Sequence, residues 1–266
     1  MRADLLLLEK GLAPSRSAAA RLIERGAVRW RHAARPWQTP RKAGEELPPN
    51  CELQVTDDAE LRWASRAGLK LEGALSALKI TLQGLTVLDV GQSTGGFTDV
   101  LLGRGAHRVV GVDVGHGQLL PRLRDDPRVA VYEGVNARSL LPEHLAAHLP
   151  AAGFDLIVGD LSFISQTLVW PALVPLMASQ ARLLMLVKPP FELQAQHIGK
   201  GGLVKPDAPV HEIEPRLRGA AHALGLQVLA WLPSPILGGD GNAEHFILMQ
   251  RAAAHPSGSR RTEVST

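Results

Sequence analysis

Short runs of consecutive apolar residues, separated by stretches of helical period, fill most of the chain after residue 85. The runs are "TVLDV", "RVVGVDVG", "VAVYEG", "FDLIVGDL", "ARLLMLVKP", "LQVLAWLP" and "EHFILMQ". Consecutive rather than alternating apolar positions mark strands buried on both faces. Strands that alternate with helices then predict an α/β fold, a doubly wound parallel sheet with helices on each side. The first 60 residues are patterned differently. Ser15 can cap a helix that runs through Glu24, Gly26 can end it, and "AVRW" and "CELQV" read as short strands around a polar, proline-rich turn. We therefore expect a small α+β domain over 1–60, a linker at 61–65 that carries Arg62 and Trp63, and the sheet domain over 66–251. Residues 252–266 lack apolar periodicity and are expected to be a disordered tail.

Composition narrows the class. Hydrophobic residues make up 45% of the 266, enough for a sizeable core. Every apolar run is interrupted well short of the roughly 18 residues needed to cross a bilayer. With one cysteine, Cys51, the chain can form neither an internal disulfide nor a cysteine metal cluster, and a cytoplasmic location is expected. No metal is expected, since His211, His222 and His245 lack ligand spacing. Charge is uneven: residues 1–42 hold ten Lys/Arg against three acids, while the remainder holds nineteen against twenty-three. A basic end of this kind suits a polyanion.

The stretch "LDVGQSTGGFTDVLL" occupies the first strand-to-helix turn of the sheet, where ligands of doubly wound folds meet backbone amides. Gly91, Gly95 and Gly96 allow close approach, with Ser93 between them. Neither a Walker pattern nor G-x-G-x-x-G is present, so a pyrophosphate is disfavoured. Asp89 would instead accept from an ammonium or hydroxyl groups. Asp113, about twenty residues on at a strand end, suits a ribose diol. The pair points to an adenosyl ligand that carries a cation, S-adenosylmethionine; the alternative is glycines that only make a tight turn. Asn136 and Ala137, after the third strand, are candidate adenine contacts, with helix capping by Asn136 the other reading. Phe97 joins the cofactor set or simply packs.

Two resemblances sharpen this. "RLIERGAVRW" after "EKGLAPSRSAAA" resembles the S4 RNA-binding module, which implies that Arg16, Arg21 and Arg25 contact RNA phosphates; a solvated basic face is the alternative. "DVGQSTGGFTDVLL", "GVDVG", "GDLSFIS", "VKPPFE" and "NAEHF" resemble the TlyA family, in which that module precedes a Rossmann-like, FtsJ-like methyltransferase domain. The resemblance implies methylation of a cytidine ribose 2′-hydroxyl in ribosomal RNA within ribosomal subunits, with S-adenosylmethionine as methyl donor and no membrane or obligate protein partner. Some family members carry haemolysin names, so a membrane-lytic protein is one competing reading, and a non-catalytic ribosomal RNA binder is the other. By motif it also implies a catalytic set of Lys70, Asp160, Lys188 and Glu244, with Asp160 shared with the cofactor. Lys188 is the candidate base and Lys70 a candidate for orienting the ribose. A neighbouring cation, Lys70, would favour the neutral amine that a base needs, and the two carboxylates would favour the charged one. Two positions depart from the family pattern: Gln92, where a small residue is usual, would crowd the cofactor loop, and Pro190, where glutamine is usual, would alter the substrate mouth.

Overall fold

The computed structural model describes residues 1–33, 35–56 and 61–252. The N-terminal part is built on two short helices, α1 (Ala3–Glu9) and α2 (Arg16–Glu24), and an antiparallel pair, β1 (Val28–Arg31) and β2 (Glu52–Val55). Ser15 caps α2 by accepting from the Ala18 amide at 3.2 Å, and Gly26 follows the helix at φ +71°, a left-handed position that suits glycine. Ala18, Ala19, Leu22 and Ile23 face inward onto Leu6 and Leu7 of α1 and onto Cys51. The basic side chains are left on the outer face, as the periodicity requires. Residues 57–60, at the expected domain boundary, and 253–266, nearly all of the expected tail, lie outside the described residues.

The larger part contains α3 (Ala67–Ala77), β3 (Thr86–Val90), α4 (Gly96–Gly103), β4 (Arg108–Asp113), α5 (Pro121–Arg124), β5 (Val129–Glu133) and β6 (Phe154–Gly159). These are followed by α6 (Trp170–Leu173), β7 (Met177–Val187), α7 (Ile213–Ala223), β8 (Leu226–Pro233) and β9 (His245–Arg251). The sheet order is β5-β4-β3-β6-β7-β9-β8. Alternate residues of β7 show why its sequence is continuously apolar. Leu183, Met185 and Val187 enter a core with Phe154, Trp170 and Leu217 of α7, while Leu184 and Leu186 enter the opposite one with Leu71 of α3 and Leu101 of α4. Each such side chain contributes about 1.5–3 kcal/mol through burial.

One expectation is corrected. The sheet is not parallel throughout: β9 pairs antiparallel with both neighbours, Val187 opposite His245 on one side and Leu232 opposite Phe246 on the other. A doubly buried strand reads as apolar whichever way it runs, so composition carries no direction. The link over residues 234–244 contains no helix, and an antiparallel pair needs none. As a result β9 begins at the edge where β3, β6 and β7 end.

The linker is packed tightly against the sheet part. Trp63 lies so close to α3 that a β-carbon on Gly68 would stand 2.6 Å from its Cβ, and the indole Nε1 donates to Glu72 Oε2 at 2.8 Å. The Ala64 amide donates to Asp99 Oδ2 at 2.7 Å, and Arg122 grips the same carboxylate with both terminal nitrogens. Among the described residues no helix is long and apolar enough to cross a membrane.

Candidate active site

β3 ends in a loop that opens into a cleft of about 490 Å³. Gly91, at φ +83°, brings the backbone against β6: a β-carbon there would be 2.6 Å from the Asp160 carbonyl oxygen. Ser93 takes a left-handed φ of +48°, held by its amide donating to Asp113 Oδ2 at 2.7 Å and its hydroxyl donating to Gln118 Oε1 at 3.0 Å. Asp113 Oδ1 accepts from the Gly115 amide at 2.7 Å, so two backbone donors fix this carboxylate at the end of β4. Gly91, Ser93, Asp113, Asn136, Ala137 and Asp160 all line the cleft.

The other expected cofactor residues are placed differently. The missing β-carbon of Gly95 points at Leu119 and Leu123, so this glycine serves packing against α5. Gly96 and Phe97 border a smaller neighbouring pocket with Ser93 and Lys188. Phe97 is buried and stacks on Phe246 at 6.3 Å, the packing alternative. Asn136 accepts from the Arg138 amide at 2.9 Å, so it caps the following turn as well as lining the cleft. Asp89 does not line either pocket: it is 0% exposed, beneath the loop, and its Oδ2 accepts from Thr98 Oγ1 at 2.7 Å while Oδ1 has no hydrogen-bond partner. Burial pushes its carboxyl up to about 7 against the Thr98 hydrogen bond, with Asp160 and Asp113 adding to the rise. Nor does Gln92 crowd the loop by standing in the cleft. Its side chain turns down into the space that a β-carbon on Gly111 would fill, and its Nε2 donates to Thr98 Oγ1 at 2.9 Å. A small residue on β4 makes room for a large one in the loop.

The four residues of the expected catalytic set meet at one edge, as two ion pairs. Lys188, just after β7, places Nζ 2.5 Å from Asp160 Oδ1, just after β6, and donates to Ser162 Oγ at 2.9 Å. Lys70, in the first turn of α3, places Nζ 2.6 Å from Glu244 Oε2, immediately before β9. Lys70 acts on Glu244 both through its charge and as a hydrogen-bond donor. Glu244 is 5% exposed, and burial pushes its carboxyl above the ordinary value while Lys70 and Lys188 oppose the rise. Pro190 is on the rim of the pocket that Lys70, Lys188 and Glu244 share.

Sequence reasoning missed Ser162, Gln118 and Phe163. Ser162 was legible in "GDLSFIS" as a polar residue beside Asp160, whereas Gln118 had no signal. Phe163 is 90% exposed at φ +63°, its ring 5.0 Å from that of Phe191, at the mouth of the cleft. An exposed aromatic in a strained conformation is rarely packing alone. In the N-terminal part, Arg16 is 3.3 Å from the buried Asp4 carboxylate, Arg21 lines a groove together with Arg66 and Lys70, and Arg25 follows α2 on the exposed side. Among the described residues no group of three or more His, Cys, Asp or Glu is arranged to hold a metal ion.

Known proteins resolve what this edge belongs to. The FtsJ-like methyltransferase family model matches residues 63–251, and the S4 domain model matches residues 1–29. The chain is 43% identical over 255 residues to the 16S/23S rRNA (cytidine-2′-O)-methyltransferase TlyA of Mycobacterium tuberculosis, covering 94% of this chain and 89% of that one. The chain belongs to the TlyA family. Hemolysin A of Brachyspira hyodysenteriae, 34% identical over 93% of this chain and 100% of its own length, resembles this TlyA-family chain too. A solved structure of a Streptococcus thermophilus protein assigned as a hemolysin superposes with a TM-score of 0.71 at 35% identity, covering 95% of this chain and 88% of that one. This TlyA-family chain is thus a methyltransferase, and its cofactor is S-adenosylmethionine. The cleft has the size and the fixed Asp113 carboxylate that such a ligand needs.

Proposed function

We propose that this enzyme methylates a ribose 2′-hydroxyl, that of a cytidine, in ribosomal RNA within ribosomal subunits in the cytoplasm. The observation that supports this most is the pairing of two lysines with two carboxylates at the rim of the cofactor cleft, where a ribose can reach both. In this reading residues 1–60 form the RNA-binding domain, 61–65 the linker and 66–251 the catalytic domain. Arg16, Arg21 and Arg25 serve RNA phosphates, of which Arg16 must share itself with Asp4.

Asp113 would hold the ribose diol of the cofactor, and Asn136 with Ala137 the adenine edge. When bound, S-adenosylmethionine supplies an electrophilic methyl group. The protein must supply the rest: a hydroxyl aimed along the transfer axis and a place for its proton. In this scheme Lys188 first releases a proton of its ion pair to solvent, then takes the 2′-hydroxyl proton and returns to the ammonium that Asp160 and Ser162 hold in place. Lys70, fixed by Glu244, points its ammonium at the ribose and keeps a second cation near Lys188. The Phe163–Phe191 pair offers a face on which an unstacked base can rest, as single-stranded RNA recognition commonly requires. Mapping ribose methylation in ribosomal RNA from cells with and without this protein tests the reading: a cytidine that loses its 2′-O-methyl group is expected. Subunits bound but left unmethylated by purified protein and cofactor would overturn it.

A further inference from the structure

A groove of about 510 Å³ runs between the N-terminal domain and the catalytic edge. Arg21 and Glu24 of α2 form one wall, Arg66, Ala67 and Lys70 at the start of α3 the other, and Gly239 of the β8–β9 link closes one end. Lys70 and Gly239 also line the pocket around Lys188 and Glu244, so groove and catalytic pocket meet at these two residues. Three features give the groove anionic preference. Its lining carries the cations Arg21, Arg66 and Lys70 against one acid, Glu24, with Lys70 paired to Glu244 on its far side. α3 begins there without a side-chain cap, and although its Gly68 and Leu69 amides are taken by the Ser65 and Arg66 carbonyls, the positive end of its dipole favours negative charge. Arg66 donates through one terminal nitrogen to the Leu237 carbonyl at 3.0 Å, while its Nε is buried with no hydrogen-bond partner.

We propose that this groove is a subsite for the phosphodiester of the RNA strand next to the target nucleotide, and that the strand crosses into the catalytic pocket over Gly239. The inference rests on the RNA reading above. Its logic is steric: the target ribose is not a free nucleoside, so its neighbours need an exit from the pocket, and the shared wall at Gly239 provides one on the side of the RNA-binding helix. A β-carbon on Gly239 would meet nothing within 4 Å, and its φ is not left-handed, so the open space there is not imposed by the protein's own packing. Arg66 is a positioning residue in this scheme, its guanidinium charge fixed at the groove wall by the Leu237 carbonyl.

The sole natural cysteine, Cys51, is buried, so Gly239→Cys installs a single accessible thiol. Gly219→Cys, on the exposed side of α7 and equally free of neighbours, is the control. Unmethylated ribosomal RNA, as protein-free transcript and as intact subunits, is added at ten times its Kd while a methanethiosulfonate reagent labels the thiol. Labelling of the Gly239→Cys protein is expected to slow about tenfold, the share left unbound by mass action, and that of Gly219→Cys to stay constant. A bulky disulfide adduct on Gly239→Cys should lower single-turnover methylation about 100-fold, as expected for displacing a substrate from reacting geometry, and leave calorimetric S-adenosylmethionine binding intact. Reduction should restore the rate. Absence of protection, or full-rate methylation with the adduct in place, overturns the subsite while leaving the methyltransferase reading untouched. Unmodified protein that methylates no RNA would instead remove that reading and the subsite with it.

Discussion

Asp89→Asn isolates the energetic cost of the buried carboxylate beneath the cofactor loop. The side chain is fully buried, one oxygen is served by Thr98 alone, the other has no partner, and Asp160 and Asp113 add like charge. Its carboxyl is pushed from an ordinary 3.8 up to about 7. Between these values the folded protein keeps a proton that the unfolded chain has released, so raising the pH through that window costs stability. Above about 7 both states are ionised and the cost stops growing. At about 1.4 kcal/mol per unit, some three units amount to about 4 kcal/mol, of which roughly 2 kcal/mol falls between pH 5 and pH 7. Asparagine keeps the shape and an acceptor for Thr98 but does not titrate. The measurement is urea denaturation of parent and variant from pH 5 to pH 8, taken as a difference so that other titrating groups cancel. The variant's stability relative to the parent should climb by about 2 kcal/mol from pH 5 to pH 7 and level off toward pH 8. A difference that is flat across the range, or that falls, would mean that the carboxylate is already ionised at pH 5 and that burial does not control it.

Three further outcomes separate the parts of the site. Lys188→Ala should leave calorimetric cofactor binding nearly unchanged and lower single-turnover methylation about 10² to 10⁴-fold, the usual worth of a general base; Lys188→Arg should do little better, because a guanidinium cannot accept the proton, and a near-parental rate in that variant would exclude the base role. Arg21→Ala with Arg25→Ala should reduce the salt dependence of RNA binding by about one unit of slope per lost phosphate contact, with cofactor affinity constant; an unchanged slope in the folded double variant would leave both as surface charges. Phe163→Ala should cost methylation of RNA roughly 5- to 150-fold, equivalent to about 1–3 kcal/mol of base stacking, with unchanged thermal stability, and a parental rate would assign the exposed ring no role.

What the sequence revealed and what it concealed divide along physical lines. The loop after β3 and the charged residues at strand ends were legible because a doubly wound sheet puts chemistry at that edge whatever its residues are. The capped α2 was legible for a similarly local reason, since Ser15, the inward Leu22 and the terminal Gly26 act within a few residues of one another. Long-range compensation was not legible. Gln92 read as an obstruction until Gly111, on another strand, was seen to accommodate it. Asp89 read as a ligand contact because its depth below the loop depends on Thr98 and the packing of α4. The direction of β9 was hidden by the symmetry of a doubly apolar run, and the hold of Asp4 on Arg16 by the fold of α1 against α2.

The reversal of β9 also bears on when the enzyme can come into being during synthesis. Its residues leave the ribosome after those of every other described strand, yet its place is inside the sheet, between β7 and β8. Until it inserts, β7 and β8 have no hydrogen-bonding partner on their facing edges, and Lys70 lacks the carboxylate that fixes it. Domains emerging from the exit tunnel fold from the N-terminus onward. The RNA-binding helix of a growing chain can therefore be in place while the catalytic edge is still unmade, and a polypeptide cut short before residue 244 would carry α2 but not the completed set of charges.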